Sequence, residues 1–194
     1  MARPRIPKKL AFIAIPLALL AGVAAWAEKT GWLYHYLPAL IPPGIHLGSD
    51  EAVPLLRVSD GDTVAVRYHE MNLKLRLLCV DTQESVHRNA EQNTTFGADT
   101  SRWAKAYLGS EKVRVDFKQK NWRIETDQYG RALAWLWIER GAPGPADDEL
   151  YNETLIRLGL SAYITSYGNG GIHHQRLSAA ENEARQAKRG IWAP

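Results

Sequence analysis

Between Val64 and Tyr68, apolar and polar positions alternate, with Val64, Val66 and Tyr68 set against Ala65 and Arg67; this is the period of a half-buried strand. The polar stretch His69–Asn72 has the length of a turn, which predicts a hairpin. The returning strand puts Leu73, Leu75, Leu77 and Cys79 on one face, and Lys74, Arg76, Leu78 and Val80 on the other. Residues 86–97 lack periodicity and predict a surface loop. A helix is predicted over 98–109, with Trp103, Ala104, Tyr107 and Leu108 along one side. Residues 112–118 alternate again, turning Val113, Val115 and Phe117 inward. Residues 127–130 then turn the chain into a strand over 131–139, where Leu133, Trp135 and Trp137 alternate. The set Trp103, Trp135 and Trp137 is expected in the core.

Residues 141–145 form a Gly/Pro breaker loop, expected to be exposed. A helix over 147–158 carries acids in its first turn, where the dipole favours them, and stops at Gly159. A last helix over 175–189 spaces Leu177, Ala180, Ala184 and Ala187 at helical intervals and ends at Gly190. Strands closing into a small barrel, with helices packed outside, are the economical arrangement of these elements.

The N-terminus has a different pattern. Residues 10–27 hold no charge and follow Arg3, Arg5, Lys8 and Lys9. As a helix they span ~27 Å, just short of the ~30 Å hydrocarbon core. A cleaved signal peptide would use Ala25-Trp26-Ala27 as its small-x-small site. An uncleaved anchor would place Trp26, Trp32, Tyr34 and Tyr36 at the interface. In either case the basic end stays in the cytoplasm and the following residues lie outside it. The expected organisation is a signal anchor or signal peptide over 1–27, a linker with Pro38, Pro42, Pro43 and Pro54 over 28–54, and one domain over 55–194.

The formal charge is +3, and subtracting the four N-terminal cations leaves −1 for the rest of the chain. The basic balance therefore belongs to the leader, and any phosphate affinity must come from a local cluster. A single cysteine, Cys79, excludes an internal disulfide, and no Cys/His spacing resembles a zinc site. It is expected to be a buried thiol. The pair His173-His174, in a Gly-rich loop, reads as a solvated turn.

The candidate chemistry sits at strand ends. Leu75-Arg76-Leu77-Leu78-Cys79-Val80-Asp81-Thr82-Gln83-Glu84 follows Val58-Ser59-Asp60-Gly61-Asp62-Thr63-Val64, and Asp127-Gln128-Tyr129-Gly130-Arg131 comes later. Taken singly, each has a plain reading as a turn, a surface strand residue, or a turn salt bridge of Arg131 with Asp127. Jointly they supply hard oxygen ligands for calcium or magnesium and two planar, permanently charged forks for a phosphate. That combination suits metal-assisted attack on a phosphodiester.

In order, the pieces 58–64, 75–84, 126–134, 151–160 and 184–192 resemble the staphylococcal (thermo)nuclease family over roughly residues 55–193. The resemblance implies an OB-fold barrel of five strands with about three helices, here preceded by an N-terminal hydrophobic helix. It also implies calcium-dependent cleavage of DNA and RNA. By position it implies that Asp62 and Asp81 are calcium carboxylates and that Thr82 lends a backbone carbonyl. It makes Glu84 the general base, Arg76 and Arg131 the phosphate-binding arginines, and Tyr129 and Tyr167 neighbours of the nucleotide. The chain departs from the family at Gln83, where proline is usual, and at Thr165, where a tyrosine is often found. The expected protein is a monomeric, membrane-anchored or exported nuclease that favours single strands. The competing expectation is a catalytically inactive OB-fold module that binds nucleic acid or protein.

Overall fold

The computed structural model describes residues 48, 52–83, 95–109, 111–121, 123–140 and 148–194. The predicted N-terminal helix over 1–27, nearly all of the linker, Glu84 and the breaker loop over 141–145 lie outside the described residues. Among the described residues, no helix is long and apolar enough to cross a membrane.

Strands β1 (Leu55–Val58), β2 (Thr63–Tyr68) and β3 (Met71–Leu77) form an antiparallel meander. Val64, Val66 and Tyr68 are buried and Arg67 is exposed, as the alternation predicts. The hairpin turn is tighter than the polar stretch suggested. Tyr68 pairs with Met71, leaving only His69 and Glu70 in the turn, and His69 takes a φ of 50°. Two-residue hairpins use left-handed residues because their twist matches that of the flanking strands.

β3 also stops earlier than predicted. Leu78 and Cys79 turn, Cys79 at a φ of 62°, so Cys79 does not continue the Leu73/Leu75/Leu77 face. The thiol is buried as expected, but against another wall, with Sγ 3.5 Å from the Gly168 carbonyl.

Strands β4 (Val113–Phe117) and β7 (Ala132–Ile138) complete the sheet in the order β1-β2-β3-β7-β4. β7 runs parallel to β3 and antiparallel to β4. The Val53 amide donates to the Val113 carbonyl at 2.7 Å, so the lead-in to β1 reaches β4 and the sheet curls back on itself. The two-residue strands β5 (Gln119–Lys120) and β6 (Arg123–Ile124) pair with each other, and β8 (Glu149–Leu150) pairs with β7. Among the described residues, five principal strands curl into a barrel-like sheet with three helices outside, the predicted OB-type architecture.

The barrel interior is filled by Val64, Val66, Leu75, Leu77, Val113, Val115, Ala134, Leu136 and Ile138. On β7 the core face is therefore Ala132, Ala134, Leu136 and Ile138, and the tryptophans point the other way. Trp135 and Trp137 are half-buried, each meeting the edge of the His173 ring, while Trp103 stacks on Tyr107 elsewhere. The three tryptophans thus pack against the core from its margin, and residues of alternating size on β7 put small and aliphatic side chains in the barrel interior. The solvated turn expected at His173 is corrected. It is buried under the two tryptophans, not solvated, and burial and then the Arg176 charge hold its imidazole below the usual range.

Helix α1 (Thr95–Leu108) begins three residues before the predicted start. Helix α2 (Tyr151–Arg157) is much shorter than the predicted 147–158. Glu149 and Leu150 pair instead with Ile138 and Trp137, and the expected first-turn acids have other partners. Asp148 pairs with Arg114, and Glu149 accepts from Tyr107 and Arg140. The β8 ladder and these ion pairs outweigh the dipole preference, which is worth only ~0.3–1 kcal/mol.

Helix α3 (His174–Gln186) buries Leu177, Ala180 and Ala184 but ends before exposed Ala187. α2 and α3 are stapled by buried Glu153, which takes both Arg157 and Arg176. Gly159 (φ 69°) and Gly190 (φ 54°) meet backbone to backbone, and the Ile191 amide donates to the Gly159 carbonyl at 2.8 Å. A Cβ on Gly190 would lie 2.0 Å from that carbonyl oxygen, so only glycine permits this contact.

Candidate active site

The site lies at the end of the barrel where β3 and β7 run side by side. The turn before β2 is tight, with the Ser59 amide donating to the Thr63 carbonyl at 2.9 Å. Gly61 is required there: a Cβ would come within 2.6 Å of Thr82 Cγ2. This close approach brings Asp62 against the segment after β3. Asp62 Oδ2 accepts from the Thr82 amide at 2.7 Å and from the Thr82 hydroxyl at 3.2 Å, while Oδ1 accepts from the Thr63 hydroxyl at 3.0 Å. Asp62 is therefore a buried carboxylate (5% exposed) with fixed donors on both oxygens.

Arg76 projects from β3 into the same space and is 5% exposed. Its Nη1 donates to the Val80 carbonyl at 2.7 Å and the Leu77 carbonyl at 3.1 Å, and sits 3.3 Å from Asp62 Oδ2. Its Nη2 donates to Asp81 Oδ1 at 2.6 Å. Three of these acceptors belong to the turn at Leu78–Cys79 and the residues flanking it. The early end of β3 is thus what closes a cage around the guanidinium. A buried, multiply bonded arginine has one geometry, the prerequisite for preorganised charge.

Arg131 enters from the turn before β7. Asp127 Oδ1 accepts from the Tyr129 and Arg131 amides, each at 2.9 Å, and Oδ2 accepts from Arg131 Nε at 2.6 Å. The expected turn salt bridge is real, but it leaves the other edge of the guanidinium available. Nη1 donates to the Thr63 hydroxyl at 3.0 Å. Through Thr63 and Asp62, Arg131 is joined to Arg76 and Asp81 in one chain of hydrogen bonds and ion pairs.

The electrostatics differ along that chain. Burial works against the ionised form of Asp127, but the bonds from Arg131 and Tyr129 more than offset it and the carboxyl lies below its usual range. Asp81 goes the other way. Desolvation raises it, Arg76 and Arg131 pull it down, and the Asp62 charge pushes it up, with a net upward shift. Asp81 also has the most open side chain of the group, 66% exposed.

The predicted residues gather well. Asp62, Arg76, Asp81, Thr82 and Arg131 share the network just described. The Arg131 guanidinium lies 5.4 Å from the centre of the exposed Tyr129 ring, and that of Arg76 lies 5.8 Å from the Tyr167 ring. Glu84 is outside the described residues. Gln83 and Thr165 are both exposed. Tyr167 also borders a cavity of about 410 Å³, lined among others by Cys79, Lys118, Trp135 and His173.

Among the described residues, no trio of His, Cys, Asp or Glu side chains gathers as a metal cage. The described donors are the carboxylates of Asp62 and Asp81 with the oxygens of Thr82. This set is entirely hard oxygen, which fits calcium or magnesium and not zinc or copper.

Two contributors had no assigned role in the sequence. Thr63 carries the link between the arginines, and its only signal was its place in the Asp-Gly-Asp-Thr run. Asn152 on α2 is fully buried, accepts from the Leu136 amide at 3.0 Å and donates to the Leu78 carbonyl at 2.8 Å. It thereby pins β7 to the turn that cages Arg76. A lone Asn in an amphipathic helix gives no sequence signal for such a role.

Comparison with known proteins accounts for the arrangement. A family model described as Staphylococcal nuclease homologue matches residues 74–194, a span that begins in β3 and contains Arg76, Asp81, Thr82, Glu84 and Arg131. The Thermonuclease of Staphylococcus hyicus is 30% identical over 150 residues, which cover 77% of this chain and 80% of that protein. The Thermonuclease of Staphylococcus intermedius is 30% identical over 142 residues, 73% of this chain and 76% of its own length. Endonuclease YncB of Bacillus subtilis (strain 168) is 33% identical over 143 residues, 73% of this chain and 61% of its own. The chain belongs to the staphylococcal nuclease homologue family.

Proposed function

We propose that this nuclease is a calcium-dependent, largely sequence-non-specific endonuclease that hydrolyses DNA and RNA phosphodiesters outside the cytoplasm. One observation carries the reading: a buried Arg76 bonded to both Asp62 and Asp81, with Arg131 tied to the same Asp62 through Thr63. A purely structural protein has no use for two caged arginines beside two carboxylates, because buried charge is costly unless it is paired.

Hydrolysis needs an activated water and compensation for charge growing on the phosphoryl oxygens. Calcium, held by Asp62, Asp81 and the Thr82 carbonyl, would supply Lewis-acid polarisation of a phosphate oxygen. Arg76 and Arg131 orient the phosphate and neutralise the developing pentacoordinate state through planar, bidentate donors. Asp127 fixes the Arg131 fork, and the Leu77 and Val80 carbonyls fix that of Arg76. Glu84, three positions after Asp81, accepts the proton of the attacking water. Tyr129 and Tyr167 flank the nucleotide, each beside one arginine. Single strands are favoured, because a compact barrel end reaches a phosphate only where the bases can splay.

Membrane attachment or export through residues 1–27 rests on the charge-free run after a basic segment. Outside the cytoplasm, calcium is abundant enough to fill a weak site. The protein acts as a monomer. The test is incubation of the purified full chain with denatured DNA, in calcium or in a chelator. Cleavage in calcium that stops in chelator is expected. Intact DNA in calcium would assign the chain to the binding modules instead.

A further inference from the structure

The two strands that carry Thr63 and Arg76, together with β1 beside them, present a second charged feature on their outer face. Because side chains alternate, the residues that share a face with Thr63 on β2 are Ala65 and Arg67, and those that share one with Arg76 on β3 are Lys74 and Asn72. The register joins them into rows. Thr63 pairs with Arg76; Ala65 pairs with Lys74 on one side and Arg57 on the other; Arg67 pairs with Asn72. Arg57, Arg67 and Lys74 are all exposed, and no acid stands on this face of β2 or β3 or in the paired rows of β1.

The rows have a simple geometry. Successive rows are two residues apart, ~7 Å along the strand. Arg57 and Lys74 stand on strands separated by one other, ~10 Å apart, with only the small Ala65 side chain between them. The result is a shallow trough walled by cations. It begins beside the caged arginine and points away from it along the sheet. Arg67 stands one row further out, oriented by its Nε bond to Asn72 Oδ1 at 3.3 Å. With a charge of −1 outside the leader, the chain has no general attraction for polyanions, so a clean cationic stripe here is a local feature of this sheet.

We propose that this face is a track for the sugar–phosphate backbone of the substrate strand, holding single-stranded nucleic acid beyond the scissile phosphate through Arg57, Lys74 and Arg67. The proposal rests on the nuclease reading above and extends it from one phosphate to several. A row spacing of ~7 Å equals about two stacked steps of a strand at 3.4 Å each. The contacts are to phosphate alone, so they add length dependence and no sequence preference.

The test uses the full chain and a triple variant carrying Arg57→Gln, Arg67→Gln and Lys74→Gln, with Lys188→Gln as a control cation beyond the end of α3. Binding of a fluorescent oligothymidylate is measured in chelator, where no cutting occurs, across a range of salt. Each phosphate contact on a single strand contributes about 0.7 to the slope of log K against log salt, so the triple variant should lose about 2. The control should lose nothing. In calcium, kcat/KM on a long oligonucleotide should fall about tenfold or more in the triple variant, with the rate on a trinucleotide unchanged. An unaltered salt slope and unaltered long-substrate kinetics would overturn the track. A wild-type chain that cuts neither substrate would overturn the nuclease reading, and the salt slope would still decide whether the track binds nucleic acid.

Discussion

The Arg131 guanidinium donates to the Thr63 hydroxyl at 3.0 Å, and that hydroxyl donates onward to Asp62 at 3.0 Å. One small side chain therefore ties Arg131, on the turn before β7, to the carboxylate that faces Arg76 on β3. A lysine in place of either arginine would keep the charge but lose the fork that lets both edges work at once.

Thr63→Val keeps shape and β-branching while removing the relay. Hydrogen bonds to charged groups are worth ~1.5–3 kcal/mol, so kcat on denatured DNA should fall at least about tenfold. Thermal stability should change little by comparison, since the isostere fills the same space. Steady-state cleavage and a melting curve measured on the same preparation check this; full activity in the variant would make Thr63 a bystander.

Glu84→Gln removes the proposed proton acceptor without changing its size. Turnover should drop by roughly 10²–10⁴, the range of general-base assistance, with substrate affinity retained. Single-turnover rates alongside chelator-based binding separate the two. Unchanged turnover would take Glu84 out of the chemistry.

Asp127 gives the acid limb of stability. Its carboxyl is depressed in the fold by Arg131 and Tyr129, so the contribution is complete above the unfolded value of about 3.9 and is lost as pH falls through the lower folded value. Asp127→Asn lacks it at every pH. Denaturant midpoints of the two proteins should therefore differ at pH 6 and converge progressively below about pH 4. A difference that stayed constant with pH would contradict the role given to this carboxylate.

Much of this architecture was legible in the sequence, for definite reasons. Strand β4 has strict period-two burial and β2 follows it from Val64 onward, and Asp127–Gly130 carries turn residues, so all three followed from local pattern alone. The charged site residues emerged because charges at strand ends are rare enough to stand out, whereas Thr82, Tyr129 and Tyr167 followed only from the family resemblance. The failures share a cause, tertiary partners that override local preference. β3 stops at Leu77 because Asn152 and Arg76 take the carbonyls of Leu78 and Val80. α2 starts late because Glu149 and Leu150 find β7. Trp135 and Trp137 face outward because β7 has a second, smaller-residue face for the barrel. Asn152 stands far along the chain from Leu78, as β7 does from Glu149, so no short window of sequence contains those two conflicts.

The parallel pairing of β3 with β7 has a biological corollary. Arg76 and Leu133 are register partners although the whole of α1 and β4 lies between them in the chain. The two cationic forks are consequently strangers until the barrel has closed. A polypeptide still unfurled would hold the parts of its scissors apart, and the cutting edge would exist only once folding is complete.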